Sequence, residues 1–162
     1  MFSGATFTFA HVAVSLIGVI SGLIVAYGLL TARRMDGWTL LFLCATLVTS
    51  LTGFLFPFHG VTPGIILGVL SVLVLAAAGA GRYAYNLFGR WRLVYAVGAV
   101  TALYFNVFVL IAQAFSKIPA LHALAPTTPP SGPAFAVTQG LALLVFVTMG
   151  FFAARRFHPS AA

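Results

Sequence analysis

The sequence predicts an all-α integral membrane protein: a polytopic bundle of five transmembrane helices, with the N-terminus outside and the C-terminus in the cytoplasm. Three observations carry that reading. The 162 residues are 62% hydrophobic and only 6% charged, whereas soluble domains carry roughly a quarter charged residues. The charges are separated by uncharged runs at 1–32, 37–81, 93–116 and 118–154. The basic residues also sort to alternate ends of those runs. A mean hydropathy of +1.12 excludes a disordered chain, whose signature is low hydrophobicity.

A bilayer core of about 30 Å takes roughly 20 apolar helical residues. The run 1–32 therefore holds one span, about 6–30. Its first residues, Met1-Phe2-Ser3-Gly4-Ala5-Thr6, lack a basic n-region, so this span is expected to be retained rather than cleaved as a signal peptide. The run 37–81 is long enough for two spans, about 38–58 and 63–84. They break at Pro57-Phe58-His59-Gly60-Val61-Thr62-Pro63-Gly64, because Pro and Gly punctuate helices. A fourth span covers about 91–115. Residues 116–133 form a Pro-rich outer loop, in which Ile118, Leu121, Leu124 and Ala125 have the spacing of a short interfacial helix. The fifth span covers about 134–154. The whole chain, 1–162, reads as one transmembrane bundle.

Alternation places Arg33, Arg34, Arg82, Arg90, Arg92, Arg155 and Arg156 on one side and Lys117 alone on the other. The positive-inside rule assigns the arginine side to the cytoplasm. The net charge of +7 is thus a topological signal with an affinity for anionic lipid, and nucleic acid is not an expected partner. Trp38, Trp91, Tyr83, Tyr85 and Tyr95 read as an interfacial belt. Arg82 reads as a snorkelling side chain, and Asp36 as an offset to nearby positive charge. Gly18 and Gly22, and Gly64 and Gly68, form GxxxG pairs suited to close helix packing. Cys44 is the only cysteine, which excludes an intrachain disulfide and CxxC chemistry; it reads as a small buried hydrophobe.

Uncharged polar residues concentrate toward the expected outer half. His11 and Gln139 lie at a similar depth in the first and fifth spans. Tyr104, Asn106 and Gln113 occupy the outer half of the fourth, with Asn106 and Gln113 seven apart on one helical face. Thr49, Thr52 and His59 follow in the second, and the outer loop adds Lys117 and His122. Buried polar side chains in a membrane face the bundle interior or a water-filled cavity. The expected site is therefore an outward-facing pocket lined by His11, His59, Tyr104, Asn106, Gln113, His122 and Gln139.

Such a pocket suits an apolar ligand or redox cofactor: a quinone, a lipid, or a b-type haem with His11 and His59 as axial ligands. The alternatives are a non-catalytic accessory subunit of a larger membrane complex and a homo-oligomeric pore for a neutral solute. Asp36 as the sole acid excludes Ser-His-Asp and paired-carboxylate hydrolysis, and intramembrane charges of the kind ion pumps use are lacking. No catalytic residue and no dedicated metal set follow from the sequence.

The stretches Leu30-Thr31-Ala32-Arg33-Arg34-Met35-Asp36-Gly37-Trp38-Thr39, Thr52-Gly53-Phe54-Leu55-Phe56-Pro57-Phe58 and Tyr104-Phe105-Asn106-Val107-Phe108-Val109-Leu110-Ile111-Ala112-Gln113-Ala114-Phe115 resemble a group of uncharacterised small bacterial multi-span inner-membrane proteins. The resemblance implies a bacterial cytoplasmic membrane, with membrane lipids as partners. It brings no activity and no functional residue with it.

Overall fold

The computed structural model describes residues 4–56 and 63–158. Within them the chain is helical, with no strand: α1 Gly4–Leu30, α2 Asp36–Gly53, α3 Pro63–Gly79 continued by a π-helical turn Ala80–Ala84, α4 Trp91–Lys117, α5 Pro119–His122 and α6 Pro133–Arg156. Four helical segments are long and apolar enough to cross a membrane: α1, Pro63–Ala84, α4 and α6. The second expected span is α2, which has 18 residues and starts on Asp36. It is diluted by Thr39, Thr46, Thr49, Ser50 and Thr52, and is not among those four. The loop helix expected over 118–125 contracts to the single turn of α5, with Pro119 in its first turn.

Local chemistry sets the boundaries. α1 stops where Ala32 adopts φ 56° and the Arg33 N–H donates to the Gly28 carbonyl at 2.8 Å, the pattern of a left-handed C-terminal cap. Gly28 is needed there, because a Cβ would stand 2.6 Å from Met35 Cγ as the chain folds back. α2 places its one acid in its first turn, where it complements the helix dipole. α6 starts with Pro133 after Gly132 at φ 106°, and Pro is preorganised for a first helical turn. At its other end, Arg92 donates to the carbonyls of Ala154 (3.1 Å) and Phe157, a cationic cap on the exposed end of the dipole.

Consecutive long helices pack antiparallel. His11 meets Thr52, and Gly22 meets Phe42, between α1 and α2. Gly68 meets Phe54 between α3 and α2, and Gly98 meets Ala78 between α4 and α3. Gln139 meets Phe108 and Arg92 meets Ala154 between α6 and α4. Helices α1 to α4 form a ring in which each packs on its neighbours, and α6 lies outside against α4 and α1. This arrangement gathers the seven arginines at one end and leaves Lys117 at the other.

The close-packed core occupies the arginine half. It is built from Val25, Leu29, Phe42, Leu75, Ala96, Ala99 and Leu103 with their neighbours. Across the ring, Thr39 Oγ1 and Tyr95 Oη are 2.9 Å apart. Tyr95 is therefore a core residue, 2% exposed, and not part of an interfacial belt, because its hydroxyl finds a partner on α2. Arg82 is likewise buried rather than snorkelling. The π-helical turn brings it into contact with Asp36, its guanidinium 5.1 Å from the centre of the Tyr95 ring. Cys44 departs from expectation in the other direction: it is exposed, on the face of α2 turned away from the ring.

Of the two GxxxG pairs, the one in α1 makes close packing within the chain. A Cβ on Gly22 would come 2.6 Å from Leu103 Cδ1 and 2.8 Å from Phe42 Cε2, and Phe42 is fully buried. We expect Gly22→Ala to destabilise the protein by about 1–2 kcal/mol, an overpacking effect. Gly140→Ala, where a Cβ meets nothing within 4 Å, is expected to be neutral or mildly stabilising, since alanine is the better helix former. Thermal unfolding of both variants in one detergent checks the contrast, and equal shifts would refute it.

Candidate functional site

The opposite half of the ring is not filled. A cavity of about 670 Å³ lies among α1, α2, α3 and α4, at the end where α1 and α3 begin and α2 and α4 finish. Pockets that hold small molecules span roughly 300–1,000 Å³. Each helix contributes one face. Thr8, His11, Val12, Ser15, Leu16 and Val19 line it from α1, and Asn106, Val109, Leu110, Gln113, Ala114 and Lys117 from α4. Both series step by three and four residues, the spacing of one helical stripe. From α3 come Gly64, Leu67, Gly68 and Ser71, and from α2 Thr49, Ser50 and Gly53.

The floor is polar and tightly closed. Asn106 Nδ2 donates to Thr46 Oγ1 at 2.9 Å, linking α4 to α2 across the ring. Gly18 permits α1 to rest on this pair, since a Cβ there would lie 3.3 Å from Thr46 Oγ1 and 3.4 Å from Asn106 Nδ2. On the wall, Gly68 accommodates the Phe54 ring, which a Cβ would approach to 2.9 Å. Gly68 of the second GxxxG pair thus both sets the approach of α3 to the end of α2 and shapes the cavity wall.

His11 is anchored to α2. Thr52 Oγ1 lies 2.7 Å from the Val48 carbonyl and 2.8 Å from His11 Nδ1; with the hydroxyl donated to the carbonyl, its oxygen accepts from Nδ1–H. With its proton on Nδ1, a neutral imidazole presents an unshared pair at Nε2. The Phe56 ring meets the imidazole edge-on, 5.0 Å between centroids. Two other lining groups lack partners: Thr49 Oγ1 and Ser71 Oγ are buried without a hydrogen bond among the described residues. Ser71 is 3% exposed. An unsatisfied buried hydroxyl carries a desolvation cost of about 1–3 kcal/mol, so these two oxygens mark where a ligand atom or water belongs.

Of the residues expected to line a pocket, His11, Asn106 and Gln113 meet in this cavity. Gln139, Tyr104 and His122 do not. Gln139 is buried between α6 and α4, donating from Nε2 to the Phe108 carbonyl at 3.0 Å. Tyr104 packs among the rings of Phe105, Phe108 and Phe146. His122 sits on α5, outside the cavity lining, with Nδ1 buried and unpartnered among the described residues. His59 lies outside the described residues. The expectation drew on the fifth span, now α6, for one wall; α3 supplies it instead. Ser71 was the missed signal, as the only polar side chain between Pro63 and Gly79.

The electrostatics are one-sided. Lys117 stands at the mouth, and among the described residues it has no ion-pair partner. Asp36, the chain's single acid, is paired at the far end of the bundle with Arg82 and lies 3.7 Å from Arg34. No group of three or more His, Cys, Asp or Glu side chains among the described residues is arranged to hold a metal ion. Comparison with protein families, with curated proteins and with solved structures finds no match to this chain.

Proposed function

We propose that this chain is a five-span protein of a bacterial inner membrane, N-terminus outside, that binds a membrane amphiphile in the cavity at its outer end. The observation that carries the reading is the combination of a ligand-sized space with unpartnered hydroxyls at Thr49 and Ser71. An apolar tail suits the walls of Leu16, Val19, Leu67, Val109 and Leu110. A hydrogen-bonding head suits Gln113, Lys117 and His11. The sorting of seven arginines to the opposite end supports the orientation. It makes α2 a fifth crossing, with Asp36 at the cytoplasmic edge and its hydroxyl residues turned into the ring.

The test is to purify the protein in detergent and identify co-purified amphiphiles by extraction and mass spectrometry. The wild type should carry a lipid or quinone near one equivalent, and Ser71→Phe, which sets a bulky ring into the cavity, should carry much less. Equal amounts in both would refute the site. A b-type haem is a second reading, favoured by one feature: the Nδ1–H···Thr52 bond leaves Nε2 of His11 free to ligate iron, as axial histidines require. Its mark is a Soret band in the purified wild type that His11→Phe removes.

A further inference from the structure

We infer that the amphiphile bound in this cavity carries an anionic head, a carboxylate or phosphate ester, held by Lys117 and Gln113. This rests on the reading of the cavity as an amphiphile site and specifies its ligand class. Gln113 and Lys117 are four residues apart on α4, so they stack on one face roughly 6 Å apart along the axis. Both line the cavity at its mouth. Together they offer an ammonium and an amide N–H to one oxyanion, and charge-assisted hydrogen bonds of this kind are roughly twice as strong as neutral ones.

The lining holds no countercharge. It contains neither Asp nor Glu, and the chain's one acid is committed elsewhere. Lys117 is exposed at the mouth, and a cation there with no carboxylate beside it favours negative charge on the head of whatever enters. His11 lines the same wall, its Nδ1 anchored 2.8 Å from Thr52 Oγ1. Below the head, Thr49 and Ser71 lie among apolar side chains, and the Asn106–Thr46 bond closes the bottom. At about 1.5 Å per residue, Asn106 is roughly 16 Å below Lys117. That depth takes an acyl chain and is more than a free anion needs.

The experiment uses the full chain in discs of zwitterionic lipid and two probes, nitroxide-labelled stearic acid and its methyl ester, read by electron paramagnetic resonance. The wild type should immobilise the acid about tenfold more strongly than the ester. Lys117→Gln should remove that preference, and Lys117→Arg should retain most of it. In Ser71→Phe both probes should be immobilised much less; undiminished retention of the acid there would assign it to the arginine-rich face and overturn the proposal. Equal immobilisation of acid and ester by the wild type would overturn the anionic head and leave the amphiphile site standing. Failure to immobilise either probe would remove the amphiphile site itself. Inorganic phosphate displacing the acid at equal concentration would show that the tail is not recognised, which also overturns the assignment.

Discussion

Replacing Asp36 by alanine should destabilise the protein by about 3 kcal/mol, more than replacing Arg82 by methionine, although the two remove the same ion pair. The asymmetry follows from burial. The Arg82 side chain is 3% exposed and that of Asp36 70%. Without its carboxylate partner, Arg82 keeps a full charge in the interior with the Tyr95 and Tyr83 rings beside it. Its Nε and Nη1 already lack hydrogen bonds among the described residues. Breaking a pair so that a buried charge stays uncompensated is the costly case, whereas removing both charges is often close to neutral. Arg82→Met leaves behind only a carboxylate that water solvates, with Arg34 nearby at 3.7 Å contributing little, as exposed pairs do. The cost of that variant should be near 1 kcal/mol, and the double variant should match it rather than the sum. Denaturant unfolding of the three variants in a common detergent decides the matter. A larger loss for Arg82→Met than for Asp36→Ala would contradict the described burial.

The second large effect is a change of sign between stability and binding. Thr49→Val with Ser71→Ala removes two buried hydroxyls that have no protein partner. In the ligand-free protein this should raise stability by about 1–2 kcal/mol, because an unsatisfied group's desolvation cost disappears. In the ligand-bound protein the same change should weaken affinity by up to about a hundredfold, roughly tenfold for each hydrogen bond of 1.4 kcal/mol. A purely structural role for these hydroxyls would move stability and affinity in the same direction. Unfolding measured on delipidated protein, beside binding of a labelled lysophosphatidate whose glycerol hydroxyl and ester oxygens lie below its phosphate, separates the two. Unchanged affinity in the double variant would remove Thr49 and Ser71 from the site.

Much of this could be read in the sequence, and the boundary between what could and could not is physical. Apolar runs and helix punctuation located α1, α3, α4 and α6 to within a few residues, with α4, expected over about 91–115, at Trp91–Lys117, whereas α2, expected over about 38–58, is Asp36–Gly53. The face shared by Asn106 and Gln113 was visible in their spacing, because periodicity along one helix is a local property. Which helices face each other is not. Gln139 shares a depth with His11 yet turns toward Phe108, and Ser71, alone in an apolar helix, turns into the cavity. Depth follows from residue count at a constant rise. Rotation about the helix axis follows from where neighbours fit against one another.

Lys117 and Arg82 show the same division. The scarcity of charge already told that the chain is built of apolar helices, that catalysis by paired carboxylates is excluded, and that Lys117 is the lone cation of its end. The tertiary structure alone decided that Arg82 is buried on Tyr95 and joined to Asp36, and that α3 rather than α6 closes the cavity. Hydropathy sums over a segment and survives any rotation of it. A cavity exists only once Gly18, Gly22 and Gly68 have set how closely each pair of helices approaches.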